Sequence, residues 1–273
     1  MVPSIYQCLF GREATTQDAA RFAELSEAGG ALCGVQWLSS SPEHVLRCLS
    51  AAPLLHLHLI HAARVKLVST MLPPADMIVD LGGANGNIYD LGYRHPFTEV
   101  TVVDLPPALR CEMYRSLKME ARQVGSGRIR VLYSDMTDMG TIRGGSIGMV
   151  WMGQAIEHIT EQDSFRLYRE VLRVLRNGGH FCLDTPNRNI TAIHTVEAGG
   201  GWIHPEHKVE YSPSHLRNNL ESAGFRIQNQ LGICEMVRTW QSKRFDYTDF
   251  VTGAGLSSSV DSSYIQYYDC VKP

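Results

Sequence analysis

The chain has 273 residues, 44% of them hydrophobic and 19% charged, with a formal net charge of -3. That length suits one large α/β domain with additions, and the composition describes a globular protein able to bury a substantial core. A charge so close to neutral offers no broad basic surface for nucleic acid or an anionic membrane, so neither is expected as a partner.

Seven cysteines (Cys8, Cys33, Cys48, Cys111, Cys182, Cys234, Cys270) are scattered with no CxxC pair. That spacing argues against a disulfide framework and against a thiolate zinc site. Residues 1–12 lack a basic-then-apolar signal pattern. The most apolar stretch, 51–63, is short for a membrane span and contains His56, His58 and His61, so a cytoplasmic protein is expected. Residues 1–75 read as an N-terminal helical cap. The run 16–27 stops at Gly29-Gly30, Ser40-Ser41-Pro42-Glu43 resembles a capped helix start, and helical signal continues past Pro53 to Val68 before Pro73-Pro74 ends it.

From Met77 onward, apolar runs at 77–81, 100–104, 129–133, 147–152 and 180–184 alternate with helical or loop stretches. Nearly continuous apolar runs separated by helices imply a parallel sheet covered on both faces. Residues 166–176 hold Leu167, Val171, Leu172, Val174 and Leu175 at helical spacing, with Asn177-Gly178-Gly179 as the stop. A further helix begins with Ser212 as N-cap and Pro213 in its first turn, and stops at Gly224. Two last strand candidates, 225–233 and 264–271, flank a polar stretch with no strong helix and suggest an antiparallel pair closing the sheet. The expected fold is a doubly wound α/β domain over 76–273. It has a mostly parallel seven-stranded sheet, an antiparallel terminal strand, the cap at 1–75, and a segment 237–262 able to act as a substrate lid.

The chemistry concentrates at strand tips. Ile78-Val79-Asp80-Leu81-Gly82-Gly83-Ala84-Asn85-Gly86-Asn87 is a strand running into a glycine-rich turn, where the backbone can approach a ligand closely. The next strand ends in Asp104 followed by Leu105, and a carboxylate there can accept from both hydroxyls of a ribose. A third ends in Ser134-Asp135-Met136, where Asp135 could accept from an adenine amino group and Met136 cover the ring. A nicotinamide dinucleotide would need GxGxxG, but counting from Gly82 puts Ala84 and Asn87 at the later glycine positions.

This ordered series resembles the motifs of class I S-adenosylmethionine-dependent methyltransferases over roughly residues 76–273. The resemblance implies S-adenosylmethionine as cofactor. It places Asp80, Gly82, Gly83 and Gly86 at the methionine part, Asp104 and Leu105 at the ribose, Asp135 and Met136 at the adenine, and Gln154 beside the fourth strand. Val174-Leu175-Arg176-Asn177-Gly178-Gly179 resembles the family's turn into its fifth strand, with Asn177 where Pro is common. Ala84 departs from the pattern at the loop's middle glycine. Gln154-Ala155-Ile156-Glu157-His158-Ile159 resembles the Glu-His segment of ubiquinone-pathway and related O-methyltransferases. With Asp184-Thr185-Pro186-Asn187-Arg188 and the run from His204 to Pro213, it is similar to bacterial small-molecule enzymes acting on sugars or natural products.

A hydroxyl attacks a methyl sulfonium poorly until its proton is removed, and histidine suits that work near neutrality. His207 and His158 are the candidate bases, with orienting or tie-down roles for them as the alternative. No metal is expected; if one is present, Glu157, His158 and His207, with Asp184 as a further donor, are its ligands. His58 and His61 share a helix face that excludes His56, while Tyr6, Trp37 and Trp202 are read as stacking or core aromatics. The expected reaction is methyl transfer to a hydroxyl of a small-molecule acceptor, with a homodimer left open. N- or C-methylation and a non-catalytic cofactor-binding protein are the alternatives. A nucleic-acid methyltransferase is disfavoured, because Thr185-Pro186-Asn187 is not the Asn/Asp-Pro-Pro-aromatic motif of amino-methylating enzymes.

Overall fold

In a computed structural model that describes residues 13–29, 55–196 and 199–273, strand β1 (Met77–Leu81) divides its apolar side chains between two cores. Ile78 packs with Val100, Met149 and Trp151 on one face; Val79 and Leu81 pack with Val103, Val150 and Met152 on the other. Successive side chains on a strand point to opposite faces, so burial on both sides produces the unbroken apolar run. Each such Ile, Leu or Val contributes about 1.5–3 kcal/mol. The central strands therefore form a rigid base for whatever stands at their tips.

Around β1, strands β2 (Glu99–Asp104), β4 (Gly127–Tyr133), β5 (Ile147–Gly153) and β6 (Leu175–Pro186) all run parallel. Strand β9 (Ser263–Val271) lies antiparallel between β6 and β7 (Arg226–Glu235). The last two long strands thus form the expected antiparallel pair, with β9 inserted rather than outermost. Short β3 (Arg122–Val124) and β8 (Leu256–Ser257) extend the two edges. The order of the nine strands is β3-β4-β2-β1-β5-β6-β9-β7-β8. The seven long strands are those read from the sequence; runs as short as β3 and β8 carry no periodicity to read.

Helices α1 (Thr16–Gly29) and α2 (Leu55–Met71) precede the sheet, and residues 1–12 and 30–54 of the cap lie outside the described residues. So do Tyr6, Cys8, Cys33, Trp37, Cys48 and the helix start at Ser40-Ser41-Pro42-Glu43. Helix α3 (Glu161–Val174) opens on Thr160, whose hydroxyl accepts from Asp163 N at 3.2 Å. It buries Ser164, Leu167, Tyr168, Val171 and Val174 along one stripe. It ends earlier than its glycines suggested: Leu175 is already extended, and Asn177-Gly178-Gly179 belongs to the entry of β6. Lys272 Nζ donates to Leu172 O and Leu175 O at 2.6 and 2.8 Å, satisfying carbonyls left open at that helix end. Helix α4 (Arg188–Thr195) follows β6. Helix α5 (Pro213–Ala223) has the expected Ser212 cap and stops on left-handed Gly224.

One expectation fails. The crossings from β1 to β2, β2 to β4 and β4 to β5 contain no α-helix among the described residues, only turns and short 3-10 segments. Residues 82–98 hold Gly82, Gly83, Gly86, Gly92 and Pro96, too many breakers for a helical run. Helix α2 takes that face instead: Ala63, Leu67 and Val68 are buried with Ile78, Val100 and Tyr93. Residues 237–262 fold as α6 (Val237–Ser242), α7 (Asp249–Thr252) and β8. Phe250 is fully buried there, and the Asp249 carboxylate accepts from the N–H groups of Arg238 and Thr239. No helix among the described residues is long and apolar enough to cross a membrane.

The chain lays down β2 and β4 on one side of β1, then returns to build β5 and β6 on the other. The connections after β1 and β5 therefore diverge and leave a crevice at their carboxyl ends.

Candidate active site

At the tip of β1 the backbone turns on Gly82, at φ +74°, into a 3-10 turn over Gly83–Asn85. A Cβ on Gly82 would meet Ala155 Cβ at 2.8 Å, so both conformation and space require glycine there. Ala84, which stands where the middle glycine was expected, has no positive φ and fits without strain. Its N–H donates to Asp104 Oδ2 at 3.1 Å, tying the turn to the tip of β2. Asp104 Oδ1 lies 3.3 Å from Arg110 Nε. Arg110 is buried and also donates to Leu105 O and Leu117 O, while its Nη2 has no hydrogen-bond partner among the described residues.

Asp80 is buried beneath this turn and accepts from Ile88 N at 2.5 Å. Burial lifts its carboxyl to about 7, opposed by the Ile88 hydrogen bond and Arg64 and reinforced by Asp104 and Asp90. The folded chain keeps this proton over a range where the unfolded chain, at an ordinary 3.8, has lost it. Stability from Asp80 is thus present at low pH and lost as pH rises through about 7. Asp80→Asn should flatten the fall in melting temperature of the ligand-free protein between about pH 5 and pH 8, a difference of a few kcal/mol at most. It should melt several degrees above the parent at the higher pH. Glu157 retains a residual slope of the same sign; a variant melting lower at both ends would refute the assignment.

Above these groups lies a cleft of about 890 Å³. One end is walled by Asp80, Gly82, Gly83 and Gly86, with Asp104, Leu105, Arg110 and Met136 beside them. The other end is walled by Gln154, Glu157, His158, His204 and His207, and α2 closes it with His56, His61 and Arg64. Arg64 Nε donates to Asp184 Oδ2 at 2.7 Å, and Gln154 Nε2 to Asp184 Oδ1 at 2.9 Å. Gln154 holds a positive φ of 54°, a backbone state uncommon for glutamine and of the kind found at ligand sites.

The histidine end is a connected network. His207 Nδ1 is 2.8 Å from Glu210 Oε1. Ile203 N and the Thr191 hydroxyl also donate to the Glu210 carboxylate. Burial raises Glu210, but the hydrogen bonds and the charge of His207 outweigh it and leave the carboxyl below its usual value. The His158 ring sits edge-on to His207 with centroids 5.0 Å apart, and burial, His207 and His204 push it down to about 4. Glu157 is fully buried. Thr185 Oγ1 donates to its Oε2 at 2.9 Å, Oε1 has no partner among the described residues, and burial raises the carboxyl to about 7.

The fold thus gathers eleven predicted positions on one cleft: Asp80, Gly82, Gly83, Gly86, Asp104, Leu105, Met136, Gln154, Glu157, His158 and His207. Asp135 stands apart. It is exposed, and its Oδ1 accepts from Thr137 N and Thr137 Oγ1, both at 2.8 Å, in a local turn that Asp-x-Thr could have announced. Glu157, His158 and His207 come together as the ligand group named for a metal, whereas Asp184 has both oxygens taken by Arg64 and Gln154. The pairing of His58 with His61 is not kept: the cleft face of α2 carries His56, Ile60, His61 and Arg64, and His58 is exposed off it. Trp202 is outside the cleft wall, with Arg188 over its ring at 4.6 Å. Arg64, Arg110 and Glu210 were not foreseen: the partner of Arg64 lies 120 positions away, and Arg110 and Glu210 sit in loops whose sequence carries no periodicity to single them out.

The strand order, the glycine turn at β1 and the acid at β2 coincide with a match of residues 79–183 to a methyltransferase-domain family. Residues 79–183 carry a methyltransferase domain, on a fold shared with S-adenosylmethionine-dependent methyltransferases. The cofactor of this methyltransferase domain is S-adenosylmethionine. A probable S-adenosylmethionine-dependent methyltransferase of Mycolicibacterium smegmatis is 36% identical over 88 residues, which is 32% of this chain and 32% of that protein. The match thus spans about a third of the relative's length. Among solved structures, a Thermotoga maritima methyltransferase described as a possible histamine N-methyltransferase superposes with a TM-score of 0.57 at 13% identity, covering 84% of this chain and 99% of that one. A Mesorhizobium loti S-adenosylmethionine-dependent methyltransferase gives 0.51 at 19% identity, covering 78% and 100%. At such identities these two likenesses establish the shared fold.

Proposed function

We propose that the chain transfers the methyl group of S-adenosylmethionine to a hydroxyl of a small-molecule acceptor. The observation that carries this reading is His207, whose Nδ1 is held by a buried, multiply hydrogen-bonded Glu210 while its ring faces the cleft. A histidine fixed in that way presents its other nitrogen as a proton acceptor, which a hydroxyl needs and an amine often does not.

The glycine turn, Asp80 and Asp104 hold the cofactor end, with Met136 beside the base and Asp135 outside the wall. Bound S-adenosylmethionine supplies an electrophilic methyl carbon on a sulfonium. Gln154 and Arg64 line the cleft and are both held by Asp184 behind them. His207 takes the acceptor's proton as the oxygen lone pair forms the new O–C bond, and the C–S pair returns to sulfur. His158 stays neutral and orients the acceptor. At about 890 Å³ the cleft is near the top of the roughly 300–1,000 Å³ range of small-molecule sites, which leaves room for cofactor and acceptor together. Holding both in line and away from water supplies much of the acceleration. Helix α2 as cap sets which acceptor fits, with Tyr247 and Phe250 of 237–262 packed against its His56.

The test is methyl transfer from isotope-labelled cofactor to a panel of sugars, phenols and amines, read by mass spectrometry of the products. Labelled O-methyl products are expected. Labelled amines alone would replace the hydroxyl reading with N-methylation, and tight cofactor binding without turnover on any acceptor would point to a non-catalytic cofactor-binding protein.

A further inference from the structure

Glu157 and His158 come from the turn after β5 and His207 from the loop before α5, yet each offers a ligand atom, all within 4.8 Å of one another. Two further features of these residues point to a cation. Glu157 Oε1 is buried with no hydrogen-bond partner among the described residues, and a buried carboxylate oxygen left bare is costly. His207 is gripped from behind by Glu210, the outer-shell arrangement that fixes an imidazole tautomer and turns its far nitrogen toward a cation. We propose that Glu157, His158 and His207 bind a divalent transition-metal cation, of the zinc, cobalt or iron(II) kind, with an open position facing the cleft.

Two imidazoles and one carboxylate form a donor set suited to these ions rather than to magnesium or calcium, which favour oxygen alone. Three protein ligands leave a coordination position free, as in catalytic rather than structural sites. With bonds of about 2.1 Å, tetrahedral ligand atoms stand about 3.4 Å apart. The three side chains therefore close by little more than about 1 Å, a small rotamer adjustment. Asp184 stays outside the set, since Arg64 and Gln154 hold both of its oxygens.

The use of the cation rests on the hydroxyl reading and changes one assignment within it. An acceptor hydroxyl on the open position loses its proton to water more readily. His207 then serves as ligand instead of proton acceptor.

Cobalt(II) is the probe, titrated into the full chain after chelator treatment and followed by its visible absorption. One equivalent should bind and be displaced by one equivalent of zinc. Glu157→Gln and His207→Asn should abolish the bands, and Glu210→Gln should weaken binding by about 10–100-fold. Exposed His58→Asn should change nothing. Retained cofactor binding and melting temperature in Glu157→Gln would show that the fold is intact; if it unfolds, His158→Asn serves in its place with the same expectation. Absence of stoichiometric uptake, or uptake that these variants leave unaltered, overturns the site. Cobalt binding with methylation of amines alone would overturn the hydroxyl reading and spare the metal site. Hydroxyl methylation undiminished by chelator, in a protein that takes up no cobalt, would do the reverse.

Discussion

Asp104→Ala is expected to weaken S-adenosylmethionine and S-adenosylhomocysteine binding by about 10²–10⁴-fold in calorimetric titration. The proposed ribose contact supplies two charge-assisted hydrogen bonds, each worth roughly 1.5–3 kcal/mol. The substitution also removes the acceptor for Ala84 N, which ties the glycine turn to β2, and the counter-charge beside Arg110. Loss of one partner from a buried pair can cost about 3–5 kcal/mol of stability. Arg110 retains hydrogen bonds to two carbonyls, which limits that cost. Asp104→Asn separates the two effects, since it keeps an oxygen for Ala84 N and loses the charge. It should fold like the parent and bind with an intermediate loss of about tenfold or more. Cofactor affinity within twofold of the parent in the alanine variant, with the fold intact, would place the ribose elsewhere.

Replacing His207 should strike turnover while sparing the cofactor. In His207→Asn the amide N–H can still reach Glu210, so the loop stays anchored while the ring nitrogen facing the cleft is gone. Loss of a general base costs typically 10²–10⁴-fold, and kcat should fall in that range with cofactor affinity within twofold of the parent. Glu210→Gln acts one step removed, through the orientation of His207, and should lower kcat by about tenfold with little change in KM for the acceptor. His158, held neutral by burial and its histidine neighbours, should matter less than His207. A His207→Asn protein that keeps its kcat would remove the hydroxyl reading. Because the same substitution removes a metal ligand, cobalt titration decides which role the loss of turnover reflects.

The features legible in the sequence are those with local causes. The caps Thr160 and Ser212, the stop at Gly224 and the strand tips at Leu81, Asp104 and Gly153 follow from residues within a turn of one another. The local patterns that failed were those with a competing local bond or too many breakers. Asp135 turned back onto Thr137, and 82–98 could not carry a helix.

The sequence by itself determined the succession of strands along the chain, the glycine turn and the acid at β2, and through them the cofactor class, because periodicity and turn chemistry act over a few residues. Only the tertiary structure decided that Arg64 would reach Asp184 across 120 positions. It likewise decided that Glu157 would be buried with one oxygen bare, and that His207 would join it and His158. Those contacts depend on how α2 and the 199–212 loop fold over the carboxyl ends of β5 and β6. That placement is driven by burial summed over many side chains, and no short window of sequence contains it.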